Sequence, residues 1–266
     1  MPDPPGGQAA VDGLQLAAGE SALAGYLLAG ARAGGFVLVA PPFNTRSMGA
    51  RPRVAVALGL ALPLSVPMRP SAPPLASPDL IVAVILQLVM GVTLGFVVLL
   101  AVAAIQVVGD LLDLTGGFNV AVGIDPLNQN QTSIMGRVFS LLAGTLLFAS
   151  DGHLMIIQGL SRSIQATPSP ELDTSEIART LTRDFAHMIV AGLQIAAPIL
   201  AVMLIADLSL GMIAKAAPAM NVFALAYPLK ILLTLLLVSL VIANVPDALA
   251  NLVEQGALTV IRLGGG

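Results

Sequence analysis

Four ionisable residues stand in apolar stretches of this sequence, where they could carry protons or pair with one another. Asp151 and His153 follow an uncharged run, and Asp207 and Lys230 each have apolar neighbours on both sides. A charge in hydrocarbon is costly, so such groups pair, face a cavity or mark a chain reversal. They would form a proton relay in a transporter, or salt bridges between helices in an assembly subunit. We favour the salt bridges, and the sequence leaves open which carboxylate meets which cation.

Asp110 and Asp113 are a further pair of carboxylates, three residues apart and therefore on one face of a helix. They could serve a proton path or bind a cation, but we favour the interpretation that they end a helix and face water. The sequence has no GxxxxGK[ST] phosphate loop and no GxSxG nucleophile elbow. Two histidines and no cysteine leave little for a transition-metal site. We therefore expect no catalytic residue, no metal, no cofactor and no enzymatic activity.

The composition is that of a membrane protein. Charged residues make up 10% of the chain, apolar residues 56%, and the mean hydropathy is +0.91. Soluble domains carry roughly 25% charged residues. The net charge of −3 gives no basic footprint for nucleic acid. We expect lipid contact and no nucleic-acid partner.

Six apolar zones separated by proline-rich or polar stretches predict an all-α membrane protein. They lie near residues 14–40, 54–68, 80–109, 138–160, 185–214 and 216–246. The zone at 80–109 has no charged residue and as a helix would reach about 45 Å, more than a bilayer core of about 30 Å. We expect residues 1–13 to be a disordered lead, 14–254 to form one helical domain, and 255–266 to be a short tail.

The basic residues do not orient the chain across a membrane. With strictly alternating spans, each side collects five lysine and arginine residues, and Arg32 and Lys230 are left inside apolar zones. A tie indicates that some helices do not span in the usual way.

Two small-xxx-small patterns predict close helix contacts. Gly91 and Gly95 share one helix face, as do Gly30 and Gly34, and paired glycines allow another backbone to approach. Glycine and alanine are so frequent here that one such match is expected by chance. We select Gly91 and Gly95 as the candidate packing residues.

The segment from Leu114 to Ser133 is the best candidate for a functional loop. It is too long and too rich in glycine and asparagine for a tight helix connection. Gly116 and Gly117 would provide a hinge, and Phe118 and Val120 apolar bulk on either side of Asn119. A bulky apolar loop can seal a pore by excluding water and ions. On physical grounds alone, we favour a plain loop outside the membrane whose Phe118 packs on a neighbour.

The order of several short motifs resembles the FliR family of flagellar type III export-gate proteins, which has SctT-type virulence relatives. The motifs follow one another over about residues 20–245. They are Ala40-Pro41-Pro42-Phe43, Arg51-Pro52-Arg53-Val54, Ile124-Asp125-Pro126, Asp151-Gly152-His153-Leu154, Ala217-Pro218-Ala219-Met220-Asn221-Val222-Phe223 and Tyr227-Pro228-Leu229-Lys230-Ile231. Each motif is weak alone, and their succession is fairly specific. The loop content is closer to the flagellar than to the virulence branch.

The resemblance implies kinked helical hairpins packed with FliP- and FliQ-type subunits into a helical export gate. It implies a place in the bacterial inner membrane, within the flagellar basal body, beside FlhA- and FlhB-type proteins. Unfolded export substrates would pass through the gate, and the loop matching Gly116, Gly117, Phe118, Asn119 and Val120 would plug it. Three alternatives stay open: a small-molecule secondary transporter, a subunit of a virulence type III secretion export gate, and a scaffold without a channel role.

Overall fold

The computed structural model describes residues 6–41, 43–44, 48–118, 133–166, 174–219 and 221–263. Every regular element among these residues is helical, which confirms the all-α prediction. The α-helices are α1 Gly6–Val39, α2 Ala50–Ser65, α3 Pro78–Gly116, α4 Ile134–Ala149, α5 Gly152–Ala166, α6 Thr174–Ala216 and α7 Val222–Leu263. A short 3₁₀ helix, Val66–Ser71, directly follows α2.

Local chemistry explains where several of these helices begin and end. Proline residues within Val66–Ser71 remove backbone donors, so α2 tightens into the 3₁₀ turn instead of continuing. The Ser77 hydroxyl accepts a hydrogen bond from the Asp79 backbone N–H (3.1 Å) at the start of α3. Ser133 caps α4 in the same way, because its hydroxyl accepts from the Gly136 backbone N–H (2.8 Å).

The helices do not coincide with the apolar zones. Helix α1 begins at Gly6, within the segment expected to be a disordered lead, and α7 continues through the expected tail to Leu263. The zone at 138–160 is two helices, because Asp151 interrupts it in a left-handed conformation (φ 57°). A helix continues wherever its backbone is hydrogen-bonded and packed, so hydropathy alone does not mark its ends.

The contacts within the chain group its residues into two compact units. Unit 1 comprises residues 1–99, 154–181 and 256–266, and unit 2 comprises residues 100–153 and 182–255. The core of unit 1 includes Phe36, Met68, Met90, Leu94 and Leu160. The core of unit 2 includes Ile105, Leu112, Phe139, Leu147 and Met203. Each unit is built from separate stretches of sequence, which hydropathy zones do not reveal.

Five described segments are long and apolar enough to cross a membrane. They are Ala18–Val39, Ala50–Ser71, Pro78–Gly116, Ile177–Ala216 and Ala224–Thr259, and α4 with α5 would together make a sixth. In the most apolar windows of α6 and α7 only 28% and 11% of the residues are buried within the chain. The rest of these two helices therefore needs lipid or another polypeptide to cover it.

Candidate functional site

Helices α1 and α3 touch backbone to backbone in unit 1, at the glycines selected from the sequence. A methyl group added at Gly91 would press on the Arg32 carbonyl oxygen and lie 3.0 Å from the Phe36 nitrogen. At Gly95 it would lie 2.7 Å from the Phe36 carbonyl oxygen and 3.2 Å from the Ala40 nitrogen. Both glycines are therefore placed where a larger residue would separate the helices.

The matching glycine on α1 is Gly35, which the sequence patterns did not select. A methyl group there would meet the Leu88 carbonyl oxygen and lie 3.0 Å from the Val92 nitrogen. The two glycines of the α1 pattern, Gly30 and Gly34, do not contact α3. A methyl group added at Gly34 would have nothing within 4 Å, and one added at Gly30 would meet only the Ala61 methyl group, at 3.9 Å. The Gly34-Gly35 doublet offers two possible faces, and the sequence alone gives no basis for choosing between them.

Arg32 is fully buried in unit 1 beside this helix contact. Its Nε donates a hydrogen bond to the Gln87 Oε1 (2.6 Å), and its Nη1 donates to the Ser163 carbonyl oxygen (3.0 Å). The side chain thus connects α1, α3 and α5. The guanidinium has five donors in a planar fork and can serve several acceptors at once.

Asp207 and Lys230, two of the ionisable candidates, form an ion pair in unit 2. Lys230 Nζ lies 2.6 Å from Asp207 Oδ1, joining α7 to α6. The Lys230 side chain is 15% exposed and the Asp207 side chain 50%. Beside the pair is a cavity of about 250 Å³ lined by Asp207, Leu210, Gly211, Ala214, Val222, Ala226, Tyr227 and Lys230.

Asp151 and His153 are the other two ionisable candidates. Among the described residues, neither forms an ion pair with Asp207 or Lys230. Asp151 is exposed at the break between α4 and α5. The His153 ring packs against Phe148, with ring centroids 5.0 Å apart. Its buried Nδ1 atom has no hydrogen-bond partner within the described part of the chain. Both residues lie where the apolar zone at 138–160 is interrupted between α4 and α5.

The interpretation that Asp110 and Asp113 end a helix and face water is wrong. Helix α3 continues past them to Gly116, and Asp113 is only 2% exposed. Its Oδ1 accepts a hydrogen bond from the Met135 backbone N–H (3.2 Å), and the Asp110 carboxylate lies against Gly136. Both carboxylates meet the amino end of α4, where the helix dipole and free N–H groups stabilise negative charge. Their spacing therefore serves the packing of α3 on α4.

The first residues of the candidate plug loop, 116–118, form a turn that packs on the start of α7. Gly117 has φ 83°, a left-handed conformation that glycine adopts readily. A methyl group at Gly117 would lie 3.2 Å from Tyr227 Cδ1, and one at Gly116 would lie 2.6 Å from Thr234 Oγ1. Phe118 is half-buried. Asn119 and Val120, the rest of the candidate plug, lie outside the described residues.

Within the described residues, no group of three or more His, Asp or Glu side chains is placed to hold a metal ion. The features of interest are instead a glycine-lined helix contact, a buried arginine, an ion pair and a glycine turn. Their common chemistry is the fixing of helix positions.

Residues 23–256 match the model of the family described as bacterial export proteins, family 1. The flagellar biosynthetic protein FliR of Pectobacterium carotovorum is 30% identical over 82% of this chain and 84% of its own length. FliR of Bacillus subtilis is 26% identical, covering 77% and 81%. The surface presentation of antigens protein SpaR of Salmonella typhimurium is 27% identical, covering 83% and 86%. Because the family model spans most of the sequence, this chain belongs to family 1 of the bacterial export proteins, the family of the FliR proteins.

Proposed function

We propose that this chain is a subunit of the flagellar type III protein export gate. The observation that carries the proposal is the family match over residues 23–256, together with FliR relatives aligned over more than three quarters of the chain. The proposed role is to form part of the channel through which unfolded flagellar proteins cross the membrane. The chain binds no cofactor and performs no catalysis in this role.

The proposed partners are FliP- and FliQ-type subunits in the bacterial inner membrane, within the flagellar basal body. Large apolar side chains on α6 and α7 support a neighbour at these helices, among them Leu204, Leu208, Leu232 and Leu236, which are 55–63% exposed. Interhelical packing in a membrane depends on such side chains and on small residues between them. FlhA- and FlhB-type proteins are proposed as further neighbours, and unfolded export substrates as cargo.

The turn at residues 116–118 is proposed as the base of a plug that also includes Asn119 and Val120. Two adjacent glycines let the chain leave α3 abruptly, and Phe118 brings an aromatic ring directly after them. An apolar constriction excludes water and ions without any fixed charge. The closed state is favoured only modestly in this proposal, because a strongly favoured one would not open under a weak trigger.

The experiment combines purification with a leakage measurement. After mild detergent extraction, FliP- and FliQ-type subunits should copurify with the tagged chain. Cells carrying the deletion of residues 116–118, or Gly117→Pro, should then leak ions more than wild-type cells. Gly144→Ala is the control, because nothing lies within 4 Å of a methyl group there. Leakage equal to wild type in both loop variants counts against the plug.

A virulence secretion gate is the second candidate function. SpaR of Salmonella typhimurium aligns over 83% of this chain, which supports a secretion system of either kind. Removing the chain from its own cells should abolish secretion of flagellar subunits if the flagellar proposal is right. Solute uptake by the isolated chain in vesicles would instead favour a small-molecule transporter.

A further inference from the structure

Residues 227–234 of α7, about two helical turns, contact both the glycine turn and α6. We call residues 116–118 the hinge turn. A methyl group at Gly117 would lie 3.2 Å from Tyr227 Cδ1 and 3.9 Å from Lys230 Cβ. A methyl group at Gly116 would lie 2.6 Å from the Thr234 hydroxyl oxygen. The hinge turn therefore rests on the α7 side chains at 227, 230 and 234, which follow one another at helical spacing.

The same α7 side chains are held from the other direction by α6. Lys230 Nζ reaches Asp207 Oδ1 at 2.6 Å. The Thr234 hydroxyl lies 3.9 Å from the Met203 sulfur and donates a hydrogen bond to the Lys230 carbonyl oxygen (2.9 Å). Thr234 and Met203 are buried, whereas half of the Asp207 side chain is exposed. The ion pair is thus the accessible part of an otherwise buried contact between α6 and α7.

We propose that Asp207 and Lys230 are positioning residues for the hinge turn. Their ion pair fixes the segment of α7 that carries Tyr227, Lys230 and Thr234, and so fixes the surface on which Gly116 and Gly117 rest. Both charges lie in segments apolar enough to span a membrane, where an unpaired charge is costly and a pair is correspondingly favoured. Loosening the pair shifts the hinge turn toward more open conformations. The consequence for export rests on the proposed function.

Position 118 gives a readout that does not depend on export. The chain contains no cysteine, so Phe118→Cys is the only thiol in a labelled variant. The Phe118 side chain is half-buried, and its rate of modification by a maleimide therefore reports how often the hinge turn opens. The measurement uses the full-length chain in the assembled complex, in membranes.

Asp207→Asn and Lys230→Met should each raise the labelling rate of Phe118→Cys about two- to fivefold, the range expected for losing one partly exposed pair. The Lys230→Met variant keeps most of the aliphatic stem beside Gly117. It tests the same ion pair if the Asp207→Asn variant does not assemble. The exchange Asp207→Lys with Lys230→Asp should restore the slow rate. Val107→Cys is the matched control, because Val107 is half-buried, as Phe118 is, and lies beside Gly192, about 15 Å along α3 from the hinge turn.

Unchanged labelling in assembled Asp207→Asn and Lys230→Met complexes would overturn the positioning role. Faster labelling at the control position as well would mean general loosening, and would overturn it too. The leakage of the deletion of residues 116–118 tests the plug separately. If substitution of Asp207 or Lys230 changes the labelling rate but the deletion of residues 116–118 does not cause leakage, the positioning role is retained and the plug is rejected.

Discussion

Substituting Gly91 with alanine tests the backbone contact between α1 and α3 most directly. The new methyl group would press on the Arg32 carbonyl oxygen, and it would lie 2.9 Å from the Arg32 carbonyl carbon. These are backbone atoms of a helix and cannot rotate away as a side chain would. Overpacking of this kind costs about 1–3 kcal/mol. Replacing glycine by alanine in a helix interior gains about 1 kcal/mol, so the net loss is about 0–2 kcal/mol.

Gly34→Ala is the matched control, since it is the same change in helix α1 with nothing within 4 Å of the added methyl group. It carries the helix-propensity gain without the clash, so the difference between the two variants isolates the clash at about 1–3 kcal/mol. Thermal unfolding of the purified complex in detergent, followed by circular dichroism, should show Gly91→Ala below Gly34→Ala. At about 2–4 °C per kcal/mol the separation is roughly 2–12 °C. Equal midpoints would refute the close approach of the two helices.

Two further predictions use the same measurement. Gly136→Ala should lower the unfolding midpoint, because its methyl group would press on the Asp110 carboxylate. Gly144→Ala, in the same helix, has open space around its methyl group and should leave the midpoint unchanged. Equal midpoints for the two variants would contradict the packing of α3 on α4. Gln87→Leu should destabilise the chain by about 1–3 kcal/mol because it removes the acceptor of the Arg32 Nε donor, and Gln87→Glu, which keeps an acceptor, should destabilise it less.

The sequence was sufficient to predict the helical membrane class and the α3 side of its close contact with α1. Charge depletion and long apolar runs depend on composition, which does not require knowledge of any contact. Gly91 and Gly95 could be selected because glycines four residues apart always share a helix face. Gly35 could not, because its partner on α3 decides which of two adjacent glycines faces inward. The spacing of residues along the sequence shows which of them share a face of one helix, but which face makes a contact depends also on the partner helix.

Charged residues were harder to interpret than apolar ones for the same reason. Asp113 was expected to face water, and it is buried because the amino end of α4 offers it the Met135 backbone N–H. That donor lies 22 positions away in the sequence. Asp207 and Lys230 were both recognised as ionisable groups in apolar zones, but their pairing is a property of how α6 meets α7. A single sequence contains the charges and leaves their partners undetermined.

The structure explains why two basic residues, Arg32 and Lys230, could not be assigned to either side of the membrane. The two cations that the count could not place, Arg32 and Lys230, are held by partners inside the chain: Arg32 by Gln87 and a backbone carbonyl, Lys230 by Asp207. The positive-inside rule concerns cations in loops near helix ends, where they meet the membrane surface. A buried arginine and a paired lysine within apolar helices obey a different requirement, which is local neutralisation or hydrogen bonding. Including Arg32 and Lys230 in the count would therefore not have resolved the orientation of the chain. Removing their partners, Gln87 and Asp207, should weaken the packing of the helices without changing which side of the membrane the loops occupy.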